Sequence, residues 1–473
     1  MGLRRVPGDW FVSGHWRVAT EAPGGLDLFV KTVAPPVVET AEDSWGVAPG
    51  ALSIRPSGVS RLELRDGVEK GVTMELFCGI DWAEHHHDVA LVNAGGDVLA
   101  TFRISDDPAG FARLVSRIGR HTMVLGSVGV ALETDRGLLV AALREIGVQV
   151  FSINPKSVDR YRDRFAVSGA KSDAGDALVL AHLLRTDARQ HRQIANDSQQ
   201  VLALSALSRA HQDAVRTRLR DAGRLRSHLR EYYPAALTAF PCLTTRTALG
   251  VLWEAPTPMA ARQLSADDLR RLGRMAGRVS MPATVVNRLL TVFAEPQLRH
   301  PPAVEEAMGA ATRTILATLR ATEEAVQRAE DELVEAFARH PQAGIVASLP
   351  GVGPILGARL ISEFGDDKTR YVNAAARRRY AGVAPVTRAS GKSRVVLMRR
   401  ARNDRLFDTC RMWAFNAIGK SAGADAYYRA RRAKGEHHEA ALRRLGSKLL
   451  GQLHHCLEDV IPYSEELAWA PTP

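Results

Sequence analysis

Five short apolar runs between Leu76 and Ile153 constrain this chain more than any other feature. Leu76–Ile80, Asp88–Val92 and Val98–Phe102 come first, joined by hairpin-length links, one of them the turn Asn93-Ala94-Gly95-Gly96-Asp97. Runs of that length with tight links predict an antiparallel meander. The texture then changes. A helical stretch over Pro108–Ile118 precedes a fourth strand, Val128–Leu132, and a helix over Gly137–Ile146 precedes a fifth, Val148–Ile153. Asn154-Pro155 closes that strand and opens another helix, because proline suits the first helical position. Three strands followed by alternating helices and strands is the order of a ribonuclease-H-like α/β fold. In such a sheet the first and fourth strands are neighbours.

Acidic residues stand at the ends of these elements. Asp81 closes the first strand and Glu133 the fourth. Asp173 and Asp176 are three residues apart on a predicted helix, so they share a face. A helix laid over the ends of the first and fourth strands would bring all four together. Clustered carboxylates repel one another and need a cation, and oxygen-only ligands favour Mg²⁺ or Mn²⁺. Two such ions roughly 3.5–4 Å apart can activate a nucleophile and stabilise the leaving oxygen of a phosphodiester.

Charge points to the same class of substrate. The 473 residues carry a net +11, but Arg370 to Leu450 alone hold 20 Lys/Arg against 5 Asp/Glu, a local +15. A basic segment in an otherwise slightly acidic chain predicts a polyanionic partner. No run of 18 apolar residues predicts a transmembrane helix, and no apolar stretch follows Arg4 and Arg5 as a secretory signal would require. The cysteines, Cys78, Cys242, Cys410 and Cys456, lie too far apart in sequence for a zinc ribbon, so a reducing cytoplasm is expected.

The remainder divides by texture. Residues 1–73, rich in glycine and proline, read as a poorly structured extension, and Met74 is a plausible alternative start. Residues 74–190 form the α/β domain. Residues 191–342 are a helical coiled-coil region, with long helices over Ser198–Tyr233 and Ala311–Arg339. Leu219 and Thr322 belong to their apolar stripes. Residues 343–460 form a mostly helical C-terminal domain whose last helix face runs from Leu442 to Val460, and 461–473 is a tail without pattern. In Leu349-Pro350-Gly351-Val352-Gly353-Pro354, Gly351 and Gly353 permit a tight turn and Pro354 starts a helix. That resembles the hairpin of helix-hairpin-helix DNA binders, whose helix N-terminus faces phosphate. The loop around Ser390-Gly391 is framed by Arg388, Lys392 and Arg394, with Arg399, Arg400 and Arg402 following. A serine hydroxyl there needs activation, and the cations suit a phosphate. The runs His85-His86-His87, His437-His438 and His454-His455 are expected to be exposed rather than metal-binding.

These motifs, in this order, resemble the DEDD transposases of bacterial insertion sequences, the IS110 family. Gly79-Ile80-Asp81 looks like the first acid motif, Leu132-Glu133-Thr134 the second, and Lys171-Ser172-Asp173 with Asp176-Ala177 the last two. Tyr380-Ala381-Gly382-Val383-Ala384-Pro385 leading to Ala389-Ser390-Gly391 matches the serine motif, and Arg402-Asn403 stands where Gly-Asn is usual. The resemblance implies a RuvC-like domain, a coiled-coil insert and a C-terminal transposase domain. It implies that metals held by Asp81, Glu133, Asp173 and Asp176 activate Ser390, which becomes joined to a DNA phosphate before rejoining. It also implies donor and target DNA as substrates, a guide RNA from the element, a homodimer or homotetramer in which one subunit's acids complete another's serine site, and work at the bacterial nucleoid. Two rival readings remain: a junction-resolving nuclease in which water attacks, and a non-catalytic nucleic-acid-binding relic.

Overall fold

β1 (Leu76–Trp82) lies inside a mixed sheet in the computed structural model, which describes residues 74–162, 172–391 and 393–470. The extension 1–73, Lys171, Lys392 and the end of the tail lie outside the described residues. β1 pairs antiparallel with β2 (His86–Asn93), and β2 with β3 (Val98–Ser105). On its other side β1 runs parallel to β4 (Val128–Leu132), followed by β5 (Gln149–Ser152) and an edge strand, β6 (Arg192–Gln193), that no sequence pattern signals. The order is β3-β2-β1-β4-β5-β6, so the first and fourth strands are neighbours.

Strand alternation sorts the side chains onto two faces. Leu76, Cys78 and Ile80 pack with α1 (Pro108–Gly119) and α2 (Leu138–Glu145). Phe77, Val92 and Ala131 pack with α3 (Pro155–Arg162) and α4 (Asp173–Asp187). α4 crosses β1 directly over Gly79. A Cβ at that position would lie 1.9 Å from the Ala177 carbonyl oxygen. Ser172 caps α4 by accepting from the Gly175 N–H, a bond that fixes where the helix, and hence Asp173, begins.

α5 (Gln199–Tyr232) and α11 (Pro302–Ala338) form an antiparallel pair. Arg218 pairs with Glu323 near its middle, and Tyr232 meets Thr312 further along. The Thr322 hydroxyl finds its partner in Asp221 at 3.0 Å. Two expectations are corrected here. α11 starts nine residues earlier than the stripe indicated, because Pro302 opens it. Leu219 is 60% exposed, because no element among the described residues covers that face of α5. Between the two helices, α6 (Pro234–Ala239), α7 (Arg246–Glu254), α8 (Pro258–Arg262), α9 (Ala266–Met275) and α10 (Ala283–Ala294) build a separate core with Leu225, Leu229, Ile315 and Leu319. The pair is thus a stalk bearing a small helical head.

The opposite end of the stalk enters the C-terminal core, where Val201, Leu204, Leu333 and Phe337 pack with α12 (Ala343–Ala347), α13 (Pro354–Phe364) and later helices. After α14 (Ala374–Tyr380), β7 (Val386–Ser390) and β8 (Ser393–Leu397) form a two-stranded ribbon where a loop was expected. α15 (Asp404–Ile418), α16 (Ala422–Ala433), α17 (His438–Glu458) and α18 (Glu465–Trp469) complete the chain. Val460, expected on the last helix face, lies past the end of α17 with φ 55° and is exposed. The tail is not patternless either. Trp469 of α18 packs against Gly423, with the Lys448 ammonium over its ring at 4.9 Å.

A polar joint links the sheet to the C-terminal core. The Asn196 N–H donates to Asp367 and the Ser198 N–H to Asp366, both at 2.8 Å. Asp197 in turn accepts from the Asp366 N–H and pairs with Arg370 at 2.7 Å. Asp197→Ala leaves a mostly buried guanidinium without its carboxylate and is expected to cost about 3 kcal/mol, read as a lowered Tm; an unchanged Tm would count against the joint.

Candidate active site

The register of β1 and β2 places Asp81 directly opposite Asp88. Alternation turns both toward α4, because the intervening Ile80 and Val89 pack on the other face. β4 continues the pattern. Ala131 packs on the α4 side and Leu132 on the other, and Glu133 follows one residue past the strand end, exposed. α4 then delivers Asp173 at its first turn, exposed, and Asp176 one turn on, buried. β1, the end of β4 and α4 thus carry the four sequence-predicted acids, and of these Asp173 belongs to the cluster of possible ligand atoms found among the described residues.

Two residues that the motif reading passed over join this end. Single ligand atoms of His86, Asp88 and Asp173 all lie within 4.8 Å of one another. The signal for Asp88 was available, since a carboxylate at the start of the second strand must sit across from the end of the first. The histidine run splits by strand parity. His86 faces the acids. His87 points the opposite way, buried at 1% exposure, stacked on Trp82 and 3.2 Å from Asp106, which corrects the expectation that it is exposed.

Two guanidiniums offset part of the negative charge. Arg103 binds Asp88 through both carboxylate oxygens, at 3.2 and 2.8 Å, and lies 3.9 Å from Asp173. Its own pKa is raised, chiefly by that hydrogen bond. Arg162 donates to Asp176 at 2.6 Å. The donor set at this end is carboxylate oxygen with one adjacent imidazole, chemistry that fits a hard divalent cation.

Ser390 ends β7 at the tip of the exposed ribbon, where Ser390 pairs with Ser393 and Gly391 takes φ +54°. Among the described residues it makes no hydrogen bond to any of the acids. Arg388 and Arg394 are exposed on the same ribbon; Arg400 is exposed beyond it and Arg399 half-buried. Lys392 lies outside the described residues. Arg402 folds back, its guanidinium 3.5 Å from the Phe407 ring centroid and its Nε bonded to Asp404. The two turn glycines differ. Gly351, at φ +75°, faces the α15 backbone, where a Cβ would sit 2.7 Å from the Ala417 nitrogen, so it serves packing. Gly353 is open at the N-terminus of α13.

Residues 78–234 match the DEDD transposase family named for IS110, and residues 343–429 match the transposase IS116/IS110/IS902 family. A protein of Streptomyces coelicolor, named as a mini-circle transposase for IS117, is 46% identical over 404 residues, which is 84% of this chain and 98% of that protein. The chain belongs to the IS110 family of transposases. The 44.8 kDa protein of insertion element IS116 from Streptomyces clavuligerus is 28% identical across 81% of this chain and 95% of its own length. The IS900 protein of Mycobacterium paratuberculosis is 27% identical across 82% and 97%. This transposase is accordingly an enzyme acting on DNA, with a mixed-sheet N-terminal region and a mostly helical remainder. No helix among its described residues is long and apolar enough to cross a membrane.

Proposed function

We propose that this transposase cuts and rejoins DNA through a covalent link at Ser390, with Asp81, Glu133, Asp173 and Asp176 as its metal-holding acids. The observation that carries the reading is that β1 and β4 are neighbours and that α4, which bears Asp173 and Asp176, packs directly over β1. When bound there, Mg²⁺ or Mn²⁺ would supply charge neutralisation and nucleophile activation. The chain's own residues do the rest. Arg103 and Arg162 hold Asp88 and Asp176 in place. The Ser390 oxygen attacks phosphorus, its proton leaves to a base, a serine–phosphate ester forms and a sugar hydroxyl departs; rejoining reverses these bonds. Arg388, Lys392 and Arg394 screen the phosphate, while Arg399, Arg400, Arg402 and the turn at Gly351 and Gly353 hold the backbone further out.

The N-terminal part is read as ribonuclease-H-like and RuvC-like over 74–190, followed by a coiled-coil region over 191–342 and a transposase domain over 343–460 with a helix-hairpin-helix-like turn. Ser390 stands on an exposed ribbon and bonds no acid among the described residues, which supports a site completed between subunits of a dimer or tetramer. A guide RNA from the element and action in the bacterial cytoplasm, at the nucleoid, complete the proposal.

The test is covalent trapping on a nicked DNA duplex, followed by peptide mapping. The expected adduct lies on the peptide containing Ser390. Strand cleavage with no adduct, retained in Ser390→Ala, would instead favour hydrolysis by water, as in a junction nuclease.

A further inference from the structure

The turn that follows Glu133 forms one wall of a cleft of about 710 Å³. Asp135 and Arg136 face Arg209 and Arg216 of α5 and the segment Ala401–Arg405, with Glu363 and Tyr380 also lining it. The size falls within the range of small-molecule sites, and the walls come from the sheet, the stalk and the C-terminal core alike.

Glu363 is the residue that packing does not explain. It is 3% exposed, yet only one of its oxygens accepts a hydrogen bond. Oε2 accepts from Asn403 Nδ2 at 2.6 Å, whereas Oε1 is buried and accepts no hydrogen bond. Arg209 Nε forms an ion pair with Oε1 at 3.5 Å without a hydrogen bond, on a side chain that is 30% exposed and so able to move. A buried carboxylate oxygen held by a guanidinium alone, with no hydrogen bond, is costly. A ligand N–H group could take the place of Arg209 at this oxygen. The rim selects which kind. Arg136 and Arg216 are exposed guanidiniums, and Arg405 is half-buried beside them. Cations around a buried acceptor, with an aromatic ring nearby, match a nucleotide: phosphate outside, base inside.

We propose that this cleft seats one unpaired nucleotide of a nucleic-acid strand, with its phosphate held by Arg136 and Arg405 and the amino group of its base donating to Glu363 Oε1 as Arg209 swings aside. The inference rests on the transposase reading only in that strand exchange supplies unpaired nucleotides close to the acids. Cytosine, adenine and guanine carry such an amino group; thymine and uracil do not. Arg216, further along α5, meets the neighbouring phosphate. The cleft therefore discriminates between bases, which the exposed arginines of the ribbon cannot do.

The test is fluorescence anisotropy with the full chain and the octamers dC8, dT8, rC8 and rU8. Wild type is expected to bind the cytosine octamer about tenfold more tightly than its thymine or uracil counterpart, and the deoxy or ribo pair with the larger ratio identifies the strand. In Glu363→Gln the ratio is expected to fall to within about twofold, with Tm and thymine affinity kept. A measurement needing no variant guards against a folding defect: octamers carrying 5-iodocytosine, irradiated on wild type, are expected to crosslink to the peptide containing Tyr380. Equal affinity for both bases in wild type, a preference that survives Glu363→Gln, or crosslinks confined to other peptides would overturn the proposal. A Ser390 adduct that forms normally while discrimination is absent would sink this inference alone and leave the transposase reading standing.

Discussion

Gly79→Ala is expected to destabilise the chain and reduce strand exchange by roughly a hundredfold or more. The added Cβ would lie 1.9 Å from the Ala177 oxygen and 2.5 Å from the Ala181 nitrogen, both backbone atoms of α4. Backbone cannot swing away as a side chain can, so the helix itself must lift off β1. Overpacking of this kind typically costs about 1–3 kcal/mol. The chemical cost is larger, because α4 carries Asp173 and Asp176 and any lift separates them from Asp81 and Glu133. A shift near 1 Å is enough for about a hundredfold loss in rate. The measurements are thermal unfolding and rejoining of a labelled DNA substrate. Gly223→Ala serves as the control, because that helical glycine has nothing within 4 Å of its added Cβ. It is expected to stabilise by up to about 1 kcal/mol through helix propensity alone. Equal behaviour of the two variants would refute the close-approach account.

Asp81→Asn is expected to abolish strand cleavage, by roughly a thousandfold or more, while DNA binding is retained or tightened. The substitution keeps the shape of the side chain and removes one negative charge from the acid-rich end of the sheet. A polyanion loses a repulsive neighbour there, so affinity should not fall. The divalent cation loses a ligand, so rising Mg²⁺ should restore little activity. Asp88→Asn gives a useful contrast, because Asp88 is already neutralised by Arg103. Its expected loss is smaller, because Arg103 already holds that carboxylate, and it combines a freed guanidinium with one weakened candidate ligand. Single-turnover cleavage across a Mg²⁺ series separates the cases. Full activity in Asp81→Asn would place the chemistry elsewhere.

The strands, and the places of the acids along them, were legible because they rest on local rules. Apolar runs bounded by turns gave β1 to β5, and the position of each acid at an element end followed from them. Asp88 was missed because its importance lies in register, which pairs residues across a hairpin rather than along the chain. His87 was misread because its neighbours share its type while parity sends it to the opposite face. Leu219 fitted a stripe that the described residues leave uncovered, and α18, at five residues, is too short to show a helical period. The cleft could not be read at all. Asp135, Arg209, Glu363 and Asn403 are brought together only by tertiary folding, and a buried carboxylate oxygen without a hydrogen bond has no signature in sequence.

α5 begins two residues after Asp197, so the joint that clamps Asp197 to Arg370 also aims the stalk. A helix of 34 residues extends roughly 50 Å at 1.5 Å per residue. The geometry is that of a lever with a short fulcrum. A rotation of about 6° at the base would sweep the far end through about 5 Å over such a length. Small slack where Asp366 and Asp367 grip the chain is thereby amplified into a displacement the size of one helical turn, and a probe placed on the head would register strain at the fulcrum long before any change could be detected there.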